Sequence, residues 1–153
     1  MPMAAARTIL VVDDYPDVLD VWEIYLRAEG FRVLTAATGQ QALATATADI
    51  PDLVVMDLDL PDVSGFEVAR ELRSRAATRH VPLIAATGYS DVVQQDKARQ
   101  SGFDSVIVKP CDPGALVVEI HRLLATHGTL PVAPIGQWDT NLPADWKTPL
   151  FRI

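Results

Sequence analysis

In VVMDLDLPDVSG, Val54 to Gly65, two carboxylates one residue apart, Asp57 and Asp59, stand where an apolar run gives way to Pro61 and Gly65. An ionised aspartate is a weak nucleophile, so chemistry at either depends on the charge placed beside it. Three other apolar runs end in groups able to supply that company. TILVV meets Asp13 and Asp14, VPLIAA meets Thr87, and SVIV meets Lys109 and Pro110. If the four run ends share one rim, three carboxylates, a hydroxyl and an ammonium converge. Carboxylates about 4 Å apart repel by about 1 kcal/mol in water and about 4 kcal/mol near a protein surface, so the cluster calls for a cation. Mg²⁺, or Mn²⁺ in its place, suits oxygen ligands and needs only one or two carboxylates. With the metal and Lys109 neutralising an arriving phosphoryl group, Asp57 would attack in line and become an acyl phosphate. Thr87 would hydrogen-bond a phosphoryl oxygen, and its movement would reach the Gly88–Ser90 loop.

The elements that must position these groups follow from apolar periodicity. Thr8–Val12, Phe31–Ala36, Asp52–Met56, Val81–Ala86 and Ser105–Val108 read as strands buried on both faces. Between them lie stretches of helical period. Pro16–Glu29 carries Val18, Val21, Trp22, Tyr25 and Leu26 and stops at Gly30, and Thr38 caps a helix to Ala48. Ser64 caps a helix to about Arg75 with Phe66, Val68, Ala69 and Leu72 inward; further helices span about Asp91–Gln100 and Pro113–His127. Five strands alternating with five helices predict an α/β fold, a doubly wound parallel sheet with helices on both faces. Ligands bind such sheets beyond the carboxyl ends of the strands, where the polar groups fall.

Composition narrows the function. At 153 residues and 49% hydrophobic, the chain suits one domain, expected over residues 7–127 between an N-terminal extension, 1–6, and a Pro-rich C-terminal extension, 128–153. Trp138, Trp146, Leu150 and Phe151 in that extension could dock on the domain or on a partner. A net charge of −7 without a basic run argues against direct nucleic-acid binding. No apolar run approaches membrane-spanning length, so no membrane association is expected. The one cysteine, Cys111, excludes an intramolecular disulfide and fits a reducing, cytoplasmic location.

Paired Asp13-Asp14, Asp57 in MDLDLPDVSG, Thr87 in IAATGYSD and Lys109-Pro110 in VIVKP resemble the receiver domain of two-component response regulators, over about Arg7 to His127. Each motif alone is weak; four in this order form a strong signal. The resemblance implies a flavodoxin-like sheet of strand order 2-1-3-4-5. It implies phosphorylation of Asp57 by a histidine kinase or histidine phosphotransfer protein. Asp14 and Asp57 would bind Mg²⁺ directly, Asp13 through water and Asp59 through its backbone carbonyl, with Thr87 and Lys109 stabilising the phosphoryl group and serving as the switch. Catalysis would be limited to Mg²⁺-dependent self-phosphorylation and autodephosphorylation. The expected product is a stand-alone relay acting on a downstream protein target through the fourth helix, fifth strand and fifth helix, with a homodimer as a further option.

Two positions depart from the pattern. Val106 stands where receivers usually carry an aromatic residue, so the familiar Thr–aromatic coupling is in doubt and output would rest on shifts after the fourth strand. Asp59 stands where the family tunes access of water to the acyl phosphate, and with Tyr89 it is expected to set the phosphoryl lifetime.

Plainer readings exist for each residue alone. Asp13 and Asp14 would suit a helix N-terminus, Lys109 a solvated strand end and Thr87 a cap. His80, His121 and His127 are scattered without ligand spacing, and Cys111 reads as a small packed residue. Leu19 and Ile24 fall off the first helix's apolar stripe, where they would be exposed and could help dock a phosphodonor. Asp57-x-Asp59 also resembles the nucleophile motif of haloacid dehalogenase-type phosphatases, although there the further acidic pair follows the motif strand instead of preceding it. A pseudo-receiver that keeps the fold without phosphorylation is the other rival, and the intact acid cluster argues against it.

Overall fold

A computed structural model describes residues 6–88 and 92–126 of the chain. Residues 1–5, Tyr89, His127 and the C-terminal extension, with the expectations attached to them, lie outside the described residues. The expected alternation is present: β1 (Thr8–Val12), α1 (Pro16–Ala28), β2 (Arg32–Ala36), α2 (Gly39–Ala48), β3 (Leu53–Asp57), α3 (Gly65–Ser74), β4 (Leu83–Thr87), α4 (Val92–Gln100), β5 (Ser105–Val108) and α5 (Pro113–Thr126). The strands form one parallel sheet in the order β2-β1-β3-β4-β5. This is the doubly wound, flavodoxin-like arrangement that the motif order implies.

Strand pleating explains why β1, β3 and β4 read as unbroken apolar runs, since successive residues serve opposite faces and both faces are covered. Leu10, Val12, Val54, Met56, Leu83 and Ala85 pack with Ala42 and Ala46 of α2, Phe66, Val68, Ala69 and Leu72 of α3, and Ala98 of α4. Ile9, Val11, Leu53, Val55, Ile84 and Ala86 pack with Trp22 and Leu26 of α1 and Leu116, Ile120 and Leu123 of α5. Each fully buried Leu, Ile or Val contributes roughly 1.5–3 kcal/mol. Helix entry is encoded locally. Thr38 Oγ1 accepts from Gln41 N at 3.1 Å, Ser64 Oγ from Glu67 N at 3.3 Å, and Pro16 opens α1.

The rotation of α1 differs from the expected stripe. Trp22 and Leu26 are buried and Val18 packs beside them, but Val21 and Tyr25 are exposed, while Leu19 packs against the core instead of facing solvent. Apolar residues cover a wider arc of α1 than the sheet and α5 can bury. The large Trp22 ring and Leu26 set the rotation, and the turn preceding Trp22 then brings Leu19 inward rather than Val21. Ile24, 70% exposed, lies outward as expected.

Two polar networks tie the layers together. Arg73 of α3 donates to Gly102 O, Arg79 O and Val81 O and meets Asp104 Oδ2 at 2.8 Å, satisfying carbonyls at the sheet end away from Thr87. Between β5 and α5, buried Glu119 accepts from Ser105 Oγ and from Arg122 Nε and Nη2, the latter two at 2.6 and 2.9 Å. Burial alone would raise the Glu119 carboxyl, but hydrogen bonds from Arg122 and Ser105 and the guanidinium charge outweigh it and hold the group below its ordinary value.

A carboxyl depressed on folding contributes stability above its unfolded pKa and loses it as pH falls through the folded value. Glu119→Gln should therefore cost about 1.5–3 kcal/mol at neutral pH, the scale of hydrogen bonds to a charged group. Urea unfolding should show the gap between parent and variant closing once pH falls below the ordinary glutamate value. A gap independent of pH would show that Glu119 carries no charge in the folded protein.

Candidate functional site

Each strand of the central sheet reaches the same edge, and the first polar residue after each apolar run lands there. Register places Val12 beside Met56, Asp57 beside Ala86 and Thr87 beside Val108. Asp13, one residue past β1, is fully buried; its N–H donates to Ala36 O at 3.1 Å and its Oδ1 accepts from Tyr15 N at 3.0 Å. Asp14 is exposed. Asp57 closes β3, 5% exposed, with Oδ1 accepting the Asp59 N–H at 3.1 Å. Carboxylate oxygens of Asp13, Asp14 and Asp57 all lie within 4.8 Å of one another, and among the described residues this is the one such cluster of His, Cys, Asp or Glu.

Lys109 reaches into the cluster from the end of β5. Its ammonium lies 2.7 Å from Asp13 Oδ2 and 3.5 Å from Asp57 Oδ2. Its own N–H donates to Thr87 O at 2.6 Å, so the cation and the buried threonine are tied through the backbone. Burial would lower the Lys109 ammonium, yet the Asp13 hydrogen bond and the charges of Asp57 and Asp13 raise it and keep it protonated. For Asp57 burial dominates in the other direction. Desolvation pushes the carboxyl above the ordinary 3.8, the Asp59 N–H and Lys109 offset part of this, and the Asp13 and Asp59 charges add to it. A carboxylate so raised is more basic, and hence more nucleophilic, than one free in water.

Three carboxylates against one ammonium leave two negative charges, which one divalent cation would balance. The donors are all carboxylate oxygens, two of them buried and one open to solvent, a set that fits a hard ion retaining part of its water. Asp59 is exposed beside Asp57. The structure thus gathers Asp13, Asp14, Asp57, Asp59, Thr87 and Lys109 at one rim, with Tyr89 outside the described residues. Val106 is partly buried and packs against the α3-side core. Two contributors went unnoticed in the sequence. The Ala36 carbonyl that holds Asp13 is a backbone group and carries no sequence signal, and Asp62, which bonds the start of α2, looks like any loop acid.

An acid cluster with a lysine, set at the carboxyl edge of a doubly wound parallel sheet, defines a class of α/β domain whose carboxylates share a rim able to hold a cation. Residues 9–121 match the model of the response regulator receiver domain, and the chain belongs to that family. It is 36% identical over 140 residues to the DNA-binding response regulator MtrA of Mycolicibacterium smegmatis, covering 90% of this chain and 60% of that protein. It is 35% identical over 115 residues to the response regulator PleD of Caulobacter vibrioides, covering 75% of this chain and 25% of PleD. The chain therefore spans about three fifths of MtrA and a quarter of PleD. Among solved structures, the receiver domain of the sensor histidine kinase PA1611 from Pseudomonas aeruginosa, which has a magnesium ion coordinated in its active-site cleft, superposes with a TM-score of 0.74 at 32% identity, covering 79% of this chain and 99% of that one.

The site geometry predicts a stability signature. Burial of the Asp57 charge costs more than the Asp59 N–H and Lys109 return, and repulsion from Asp13 and Asp59 adds to the cost. Without added divalent cation, Asp57→Asn should therefore stabilise the protein by roughly 1–3 kcal/mol at neutral pH. The folded pKa of Asp57 lies above its unfolded value, so its penalty is absent below about 3.8 and accrues as pH rises. Chemical denaturation across pH should show the advantage of the variant growing from acid to neutral, and saturating Mg²⁺ should shrink it by stabilising the parent. A variant less stable than the parent in the chelated sample would contradict this electrostatic account.

Proposed function

We propose that Asp57 is a phosphoryl acceptor, supplied by a histidine kinase or histidine phosphotransfer protein, and that its phosphorylation controls contact with a downstream protein. One observation carries this reading: a buried aspartate at the end of β3, raised in pKa, lies within 4.8 Å of two further carboxylates and 3.5 Å from a protonated lysine.

Asp13, Asp14 and Asp57, with the Asp59 carbonyl, would hold Mg²⁺ or Mn²⁺, which when bound screens the charge on the phosphoryl oxygens. The rest is done by the chain's own residues. The Asp59 N–H fixes the Asp57 carboxylate through Oδ1. One Asp57 oxygen forms the new O–P bond while the P–N bond of the phosphohistidine donor breaks, its electron pair returning to the imidazole. Lys109 then exchanges its contacts with the carboxylates for a phosphoryl oxygen. Thr87 turns its hydroxyl to another, and the Lys109 N–H to Thr87 O bond makes the two moves one event. Exposed Asp59 stands at the approach of water, and with Tyr89, the residue after Gly88 in the chain, it sets the lifetime of the product.

Intact mass after treatment with acetyl phosphate and Mg²⁺ should show a gain of one phosphoryl group in the parent and none in Asp57→Asn. Equal modification of both, or of neither with any phosphodonor, would reject the assignment. Followed over time, the same measurement should show Asp59→Asn and Tyr89→Ala each shifting the rate of phosphoryl loss by at least a fewfold, about 1 kcal/mol in barrier height. Unchanged rates would remove these two residues from the lifetime.

A further inference from the structure

The two acid-bearing loops are held by one short connection that carries no chemistry of its own. The stretch from the end of β2 to the first turn of α2, residues 36–41, accepts the Asp13 N–H on Ala36 O at 3.1 Å. Three residues on, its Gly39 and Gln40 N–H groups donate to the two carboxylate oxygens of Asp62 at 2.8 and 2.9 Å. The link is closed on itself as well: Gln41 N donates to Thr38 Oγ1 at 3.1 Å and the Ala37 N–H donates to Gln41 Oε1 at 2.9 Å. Asp62 lies in the β3–α3 loop, three residues past Asp59. The opposite end of that loop is seated where Gly65 N donates to Leu58 O at 2.9 Å, so close that a β-carbon on Gly65 would stand 2.6 Å from the Asp57 carbonyl oxygen.

Packing brings the exposed Asp62 carboxylate to α2 through a close backbone approach at Gly39. A β-carbon on Gly39 would lie 2.3 Å from Val63 Cγ2 and 3.0 Å from Val68 Cγ2, so glycine is what lets the loop reach the first turn of α2. The carboxylate takes both N–H groups, and these bonds hold Asp62 below the ordinary carboxylate range.

We infer that Asp62 is a positioning residue for the metal and phosphoryl site: by clamping the β3–α3 loop to the connection that also holds Asp13, it fixes the Asp59 end of the site relative to the acidic pair. The inference rests on the proposed phospho-acceptor reading, since that reading gives the Asp59 carbonyl a task. Losing the clamp leaves the three side-chain ligands in place and loosens the loop that carries the fourth donor.

The test is calorimetric titration of Mg²⁺ into the unphosphorylated full chain, comparing Asp62→Ala, Asp62→Asn and Thr38→Ala with the parent. Asp62→Ala should weaken Mg²⁺ binding by about tenfold, the low end of what losing an outer partner of a metal ligand costs, and slow phosphorylation by acetyl phosphate. Asp62→Asn, which keeps one acceptor, should fall between. Thr38→Ala removes a cap of the same helix but leaves both Asp62 bonds, so it should lower the melting temperature without changing Mg²⁺ affinity. Affinity within twofold of the parent in Asp62→Ala would overturn the inference while leaving the phospho-acceptor reading intact. So would an equal weakening in Thr38→Ala, which would make helix stability the cause, or equal losses in the Ala and Asn variants that vanish at high salt, which would make charge the cause. A parent that binds no Mg²⁺ would overturn the acceptor reading itself.

Discussion

Repulsion between like charges is the constraint around which this molecule is arranged. Asp13 and Asp57 are buried, and with Asp14 they crowd within 4.8 Å. Carboxylates in water would separate; here they are the first polar groups after β1 and β3, which hydrogen-bond side by side and are packed on both faces. Moving either acid away means unpairing a strand whose residues are almost wholly excluded from solvent. The cost is therefore distributed over two apolar layers and met by burial energies several times larger than the repulsion.

Lys109 makes that arrangement tolerable and also makes it responsive. Its shorter contact is with Asp13 and its longer one with Asp57, so the counter-charge sits toward the fully buried acid and leaves Asp57 less tightly paired. A site poised in this way is expected to change partners readily. Any change in where the ammonium points pulls on Thr87 through the backbone bond between them. On the far side of β4, Ala98 is the one buried residue of α4 among those described, and Lys97 lies over the Phe66 ring at 4.6 Å. Helices that bury few apolar side chains belong to the less stable parts of a fold.

How much of this was visible in the chain beforehand follows from what each contact depends on. The strands were legible because an apolar run that stops at a charge or a hydroxyl is a one-dimensional signal, and four such stops in β1, β3, β4 and β5 mark one edge; their order came with the motif resemblance. Caps at Thr38 and Ser64 were legible for the same reason, since they act within three residues. The rotation of α1 was not, because periodicity defines an apolar arc and not which part of it the sheet covers; Leu19 and Val21 exchanged places on that account. Glu119 was invisible as a buried acid. Its position in an apolar helix makes sense only once Ser105 and Arg122 are seen to surround it.

Asp62 shows why the limit falls there. In the sequence it is one of two aspartates in the β3–α3 loop, and its partners are the main-chain N–H groups of residues 22 and 23 positions earlier, which every non-proline residue owns. Nothing in the residue types distinguishes it from Asp59. What separates their roles is direction: the Asp59 N–H points inward to Asp57, while the Asp62 side chain points back to α2. The polar side chains of the rim were recognisable because four apolar runs each stop at a charge or a hydroxyl, in one consistent order along the chain. Those that hold the chemistry in register act largely through backbone donors and acceptors, so they become visible only when the chain has folded and the distance between two loops can be read.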